Sequence, residues 1–243
     1  MLKPLESKTI LITGAARRIG AYLALSAARC GADIIIHHGH SSEAAEAVCR
    51  EAQAEGVRAT ALTANLNDPQ QAAELVSRAS QNGPLFAVIN NAAIFEPFEV
   101  QDTTLEIWQK HLNINLTAPF LISQAFARQV PAGDEGRIIN MVDWRALRPV
   151  ADHFAYTISK AALVAMTQSL AVSFAPHITV NALALGAILP PADGGAAENI
   201  IRPVPAARWA TLEEVWQSVL FLLNGPSYIS GEILHVDGGR HLI

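Results

Sequence analysis

Cysteine is scarce in this chain: 243 residues contain two thiols, Cys30 and Cys49. Both fall in stretches of helical period, and a disulfide framework needs more than this. The expectation is a reducing compartment. Charge is sparse too, at 16% Asp, Glu, Lys and Arg, with a formal net charge of −5. Nothing in that balance points to nucleic acid or to an anionic membrane. Long apolar runs are absent. Met1–Lys8 is mixed polar, and Ile10–Thr13 is far too short for a signal-peptide core or a membrane span. There are no internal repeats and no low-complexity tract. These absences predict a soluble, cytoplasmic protein.

What the chain has is apolar content, 51% by residue, enough for one large core. Short β-rich runs alternate with longer Ala-rich stretches of helical period. Strands are predicted at Thr9–Thr13, Asp33–His37, Arg58–Thr63, Phe86–Asn90, Gly136–Val142, Ile178–Leu183 and Ile233–His235. Helices are predicted near Arg18–Cys30, Ser42–Ala54, Pro69–Ser80, Thr103–Leu112, Ala118–Gln129, Phe154–Phe174 and Leu212–Leu223. Asp68 before Pro69, and Thr211 before Glu213 and Glu214, carry N-cap chemistry. Strict β–α alternation predicts an α/β class: a doubly wound, Rossmann-type parallel sheet of about seven strands with helices on both faces. Residues 1–243 are expected to form a single domain. The segment 186–210, rich in Pro and Gly, lacks clear period and is expected to be a substrate loop near the carboxyl edge of the sheet.

The first strand runs through Thr13-Gly14-Ala15-Ala16-Arg17-Arg18-Ile19-Gly20 into a helix. Glycines on such a turn let backbone approach a pyrophosphate, and the helix N-terminus offers free N–H groups and a positive dipole. The second strand ends in His37-His38-Gly39-His40-Ser41-Ser42, with no Asp or Glu for a ribose 2′-hydroxyl. Arg18, His40 and Ser41 instead offer donors and partial positive charge, which suits a 2′-phosphate. The three histidines without a thiolate or carboxylate at ligand spacing make a poor metal site; a plain surface loop is the other alternative.

Further along stand Asn90-Asn91-Ala92-Ala93, Asn140-Met141-Val142-Asp143, Tyr156-Thr157-Ile158-Ser159-Lys160 and Val236-Asp237-Gly238-Gly239. In this order, with the first turn, they resemble the short-chain dehydrogenase/reductase family over essentially the whole chain. Three departures narrow the resemblance. Arg18 stands at the middle glycine, Asp143 at the usual catalytic serine, and Phe95 just beyond the Asn-Asn-Ala-Ala run. All three are similar to pteridine reductases, including bacterial dihydromonapterin reductases. Other positions depart without that match: Leu185-Gly186 stands for the family's Pro-Gly, and Asn65 for its Asp after the third strand.

The resemblance implies NADP(H) as cofactor, a homotetramer, and a pterin-like small-molecule substrate. It implies cofactor contacts at Gly14, Arg18, Ile19, Gly20, His37, His40, Ser41, Asn65, Leu66, Asn91, Ala92, Ala93, Tyr156, Lys160, Gly186 and Ile188. It implies catalytic roles for Asp143, Tyr156, Lys160 and Asn115, the last holding a water that links Lys160 to solvent. Substrate contacts fall to Arg18, Phe95, Asp143 and Tyr156, with Phe95 stacking a pterin against nicotinamide. Tyr156 and Lys160 lie one helical turn apart, so the ammonium is expected to lower the phenol's pKa and make it the proton donor. An ionised Asp143 cannot donate to an oxyanion, but it suits a substrate presenting N–H groups. Trp144 either lines the same pocket or packs at a subunit interface. A carbonyl reductase acting on 3-oxoacyl thioesters or sugars is the alternative enzyme. A catalytically idle NADP-binding sensor is the alternative of another class.

Overall fold

Ile10, Leu11 and Ile12 have no exposed surface, because the strand they form is covered on both sides. Ile10 and Ile12 face one hydrophobic cluster and Leu11 the other, as the period of two demands. In a computed structural model, which describes residues 3–190 and 197–243, seven strands form one parallel sheet. They are β1 (Thr9–Ile12), β2 (Asp33–His38), β3 (Ala59–Thr63), β4 (Ala87–Asn90), β5 (Gly136–Asp143), β6 (Ile178–Leu185) and β7 (Ile233–Val236), in the order β3-β2-β1-β4-β5-β6-β7. The order reverses between β1 and β4, which pair Ile12 with Ile89. Open α/β sheets bind ligands in the crevice at such a reversal.

The helices are α1 (Arg18–Arg29), α2 (Ser42–Ala54), α3 (Pro69–Ala79), α4 (Leu105–Leu112), α5 (Ala118–Gln129), α6 (Phe154–Phe174), α7 (Ala197–Ile201) and α8 (Leu212–Asn224). Leu23, Val48, Val215 and Val219 bring α1, α2 and α8 onto one face. Leu75, Ile122, Phe126 and Leu170 bring α3, α5 and α6 onto the other. Asp68 caps α3 through the amides of Gln70 and Gln71, and Thr211 with Glu214 forms a capping box on α8.

Most predicted boundaries differ from the observed ones by a residue or two; β6 runs on to Leu185 and delivers Gly186 to the sheet edge. Two differences have physical causes. Asn113–Thr117 is a π-helical turn joining α4 to α5, where a break was expected. The segment 186–210 contains α7, and its residues 191–196 lie outside the described part. Among the described residues, no helix is long and apolar enough to cross a membrane.

Candidate active site

The turn after β1 is built around Gly14. Its φ is +63°, and a Cβ there would sit 2.9 Å from the Cα of Ala92. Asn91 clamps the turn by donating from Nδ2 to the carbonyls of Thr13 and Gly14, at 2.9 and 3.2 Å. The Thr13 hydroxyl accepts from the amides of Asn91 and Ala92, at 2.9 and 3.0 Å. Gly20 is equally constrained, since a Cβ would meet the Gly14 carbonyl at 2.3 Å. Arg18 opens α1 with φ +53°, a left-handed conformation that glycine adopts without strain. Its guanidinium reaches the carbonyl of Pro190 at 3.2 Å.

His37 lies directly beneath this turn. Its ring is buried, Nδ1 accepts from the Gly14 amide at 3.1 Å, and Nε2 lies 3.0 Å from the Ala64 carbonyl. Burial pushes its pKa down to about 4. Both ring nitrogens are engaged, and the side chain holds the turn. His40 is exposed and Ser41 half-buried just beyond β2. Asn65 is exposed, and its Oδ1 accepts from the Asn67 amide. Leu66 belongs to the core beside α3. Gly186 fits because a Cβ would lie 2.6 Å from the Cα of Asp237. Ile188 is buried among the α8-side residues.

At the carboxyl ends of β4 and β5 a second group converges. Tyr156 donates to Asp143 Oδ2 at 3.2 Å. Asp143 Oδ1 accepts from the Arg145 amide at 2.8 Å, capping the short turn Trp144–Ala146. Lys160 is fully buried and donates to the Met141 carbonyl at 2.7 Å. Burial lowers the Lys160 pKa to about 8, against the opposing pull of Asp143. Burial also raises the Asp143 carboxyl above its ordinary range, while the Arg145 amide and guanidinium and the Tyr156 hydroxyl oppose the rise.

The expected lowering of the Tyr156 phenol does not occur. Burial, then the charge and hydrogen bond of Asp143, hold its pKa well above the usual value. Asn115 has no exposure and sits in the π turn. Its Oδ1 accepts from the Ile94 amide, and its Nδ2 donates to the Ile94 carbonyl and to Ser159 Oγ. It ties the segment after β4 to α6.

Phe95 meets Tyr156 edge-on, with centroids 4.7 Å apart at 80°. One face of Phe95 is already covered by the His153 ring, stacked at 3.8 Å and 12°, and the Arg145 guanidinium lies 5.5 Å from its centroid. A flat ligand therefore does not find both faces of Phe95 open.

The profile of the family described as enoyl-(acyl carrier protein) reductase matches residues 14–241. A 3-oxoacyl-[acyl-carrier-protein] reductase of Synechocystis sp. is 32% identical over 240 residues, covering 97% of each chain. A short-chain dehydrogenase from Burkholderia cenocepacia J2315, crystallised with NADP, is 36% identical with a TM-score of 0.92, over 98% of this chain and 99% of that one. The chain belongs to the short-chain dehydrogenase/reductase family. A further relative is FolM alternative dihydrofolate reductase 1 from Brucella canis, complexed with NADP, at 30% identity and TM-score 0.91, over 100% of this chain and 97% of that one.

As a short-chain dehydrogenase/reductase the protein is an oxidoreductase, and its first turn fits a dinucleotide. Gly14 and Gly20 let the turn close tightly against Ala92 and the start of α1, where an added Cβ would collide with backbone, and the turn ends at a helix N-terminus with no acidic residue in its first turn. Several residues of this oxidoreductase's candidate site escaped the sequence reading. Arg145 and His153 touch Phe95 from elsewhere in the chain. Ser159 donates to the Tyr156 carbonyl. A buried line from Asn90 through Asn140 to Thr167 connects β4, β5 and α6. Of these, Ser159, Asn90 and Asn140 carried a local signal, each lying within a contiguous motif, while Arg145, His153 and Thr167 carried none.

Proposed function

We propose that this enzyme reduces a pteridine, a dihydropterin to a tetrahydropterin, with NADPH in preference to NADH. The observation that carries this reading is the carboxylate of Asp143 in hydrogen-bond contact with Tyr156, where a ketone reductase needs a donor to an oxyanion. An ionised carboxylate only accepts, so it suits a ring edge bearing amino and N–H groups. Phe95, in edge contact with Tyr156, supplies an aromatic wall for such a ring. Arg18, His40 and Ser41 are the proposed readers of the 2′-phosphate, and the Gly14–Gly20 turn the cradle for the pyrophosphate.

NADPH, when bound, supplies the hydride. The chain's own residues supply the proton and the order. Tyr156 keeps its proton because burial and Asp143 disfavour the phenolate, and it gives that proton to ring nitrogen as the C=N bond is reduced. Lys160, one turn along α6, is the cationic neighbour behind the phenol. Asn115 is proposed to fix the segment carrying Phe95 against α6. The segment 186–210 is proposed to border the substrate. The assembly is proposed to be a homotetramer in contact through α6, where Ile158 and Val172 are exposed.

One observation favours a second reading, a carbonyl reductase. Burial raises the Asp143 pKa, and a protonated carboxyl can donate to a developing alkoxide. The two readings separate in an NADPH-oxidation assay with dihydrobiopterin and dihydromonapterin on wild type and Asp143→Ser. Pterin turnover that collapses in the variant supports the pteridine reading. No pterin turnover, with ketone reduction appearing or improving in the variant, overturns it in favour of the carbonyl reductase.

A further inference from the structure

An alternating stack of rings and guanidinium groups leads away from Tyr156. Phe95 meets Tyr156 edge-on; the Arg145 guanidinium lies 5.5 Å from the Phe95 centroid and 4.9 Å from that of Trp144. The Arg240 guanidinium, from the C-terminal turn Arg240–Leu242, lies 4.8 Å from the same indole. Trp144 is buried, and both cations draw on its one π system. The Arg148 amide donates to the Trp144 carbonyl at 3.0 Å, and its guanidinium is near enough to repel that of Arg240.

The charges in this group are unevenly matched. Arg145 has carboxylates at Asp152, 3.4 Å away, and Asp143, 3.9 Å away. Among the described residues, Arg148 and Arg240 have no carboxylate partner. Asp237, the acid nearest Arg240 in sequence, is committed to the amides of Gly239 and His241 and to the His241 ring. Burial together with repulsion from Arg145 and Arg148 holds Arg240 below the ordinary arginine value. Like charges gathered against a buried ring, in a chain of net charge −5, lower their energy when an anion joins them.

We propose that Arg148 and Arg240, with Trp144 (which lies between Arg145 and Arg240) as a platform, bind the anionic tail of the substrate. The head of that substrate is the ring placed at Phe95 and Tyr156. The proposal rests on the pteridine reading only for the nature of that ring. The shared tail chemistry is a group of oxygen anions, supplied either by glutamyl carboxylates or by a phosphate ester. Guanidinium groups suit both, through paired N–H donors.

The test is calorimetric titration of the NADP-saturated enzyme with two tail fragments, p-aminobenzoylglutamate and inorganic tripolyphosphate. Saturation with NADP keeps the second probe from the cofactor's own phosphate site. Binding of one fragment, weakened about tenfold or more in Arg148→Gln/Arg240→Gln and partly restored in Arg148→Lys/Arg240→Lys, where the charge returns without the paired donors, supports the proposal and identifies the source of the anion. That loss corresponds to one charge-assisted hydrogen bond. The proposal is overturned if neither fragment binds, or if the glutamine variant binds them as wild type does. This readout uses no turnover, so it stands apart from a failure of the pteridine reading. Where pterins do turn over, the kcat/KM ratio of dihydrofolate to dihydrobiopterin should fall by a similar factor in the glutamine variant. An unchanged ratio counts against the tail site.

Discussion

The Tyr156 hydroxyl donates to the Asp143 carboxylate across 3.2 Å, so the proposed proton donor and the group that sets its environment form one unit. Asp143 acts on the phenol by charge and by the hydrogen bond, and both raise the phenol's pKa. Removing the charge in Asp143→Asn should therefore lower it. Titrating tyrosinate absorbance, with Tyr156→Phe as the blank for Tyr22 and Tyr228, measures the shift directly. An unchanged titration would mean that burial alone controls the phenol. In the same series Tyr156→Phe should lose about 10²–10⁴-fold in kcat, the usual scale for a positioned general acid.

Lys160 gives a stability signature in the alkaline range. Its folded pKa is depressed to about 8 against an ordinary value of 10.5. Between those values the unfolded chain binds more protons than the folded one, so stability from this group rises with pH. Below that window both states are protonated and the group contributes no slope. The melting temperature of cofactor-free wild type should gain on that of Lys160→Met as pH rises from 8 towards 10.5. Parallel melting curves over that range would show that the ammonium does not titrate in the folded protein.

Much of this architecture is legible locally, and the reasons are physical. Ile34, Ile35 and Ile36 form a short continuous apolar run, which marks a strand buried on both faces. Asp68 before Pro69 marks a helix start by cap chemistry that the structure repeats. The first turn and the Tyr156–Lys160 pair are contiguous motifs. What escaped is long-range. His153 reaches Phe95 only because its left-handed backbone, φ 54°, starts α6 where it does. Arg145 meets Phe95 across fifty positions of chain. The resemblance gives Asn115 a water beside Lys160, while the contacts the π turn makes for it, three buried hydrogen bonds with Ile94 and Ser159, carry no sequence signal. The burial of His37 is a property of the packed sheet, which its sequence position does not reveal.

His37 predicts an acid-side effect. Its folded pKa is depressed to about 4 from an ordinary 6.5. Within that window the unfolded chain binds the extra proton, so the group's contribution falls as pH drops from 6.5 towards 4. Protonation of the folded protein, as pH falls through about 4, also removes the acceptor that the Gly14 amide uses, so the cofactor turn should loosen only at that lower limit. His37→Gln should flatten this part of the stability curve, as measured by chemical denaturation at stepped pH. An unaltered slope would place the acid sensitivity elsewhere.

Arg18 combines a strained backbone with a proposed contact to cofactor, and the two roles oppose each other on substitution. Its φ of +53° is left-handed, which costs a residue with a Cβ about 1–2 kcal/mol relative to a right-handed conformation. Arg18→Gly relieves that strain but also loosens the unfolded chain, so the cofactor-free protein should change in stability by no more than about 1 kcal/mol. Arg18→Ala keeps the strain and removes the guanidinium alone. Both variants should lose NADPH affinity by about tenfold or more, the scale of a charge-assisted hydrogen bond to phosphate, and lose far less for NADH. Paired titrations of the two nucleotides decide the point. Equal losses for NADPH and NADH would show that Arg18 reads the shared pyrophosphate and not the 2′-phosphate, and would leave His40 and Ser41 as the remaining candidates for that discrimination.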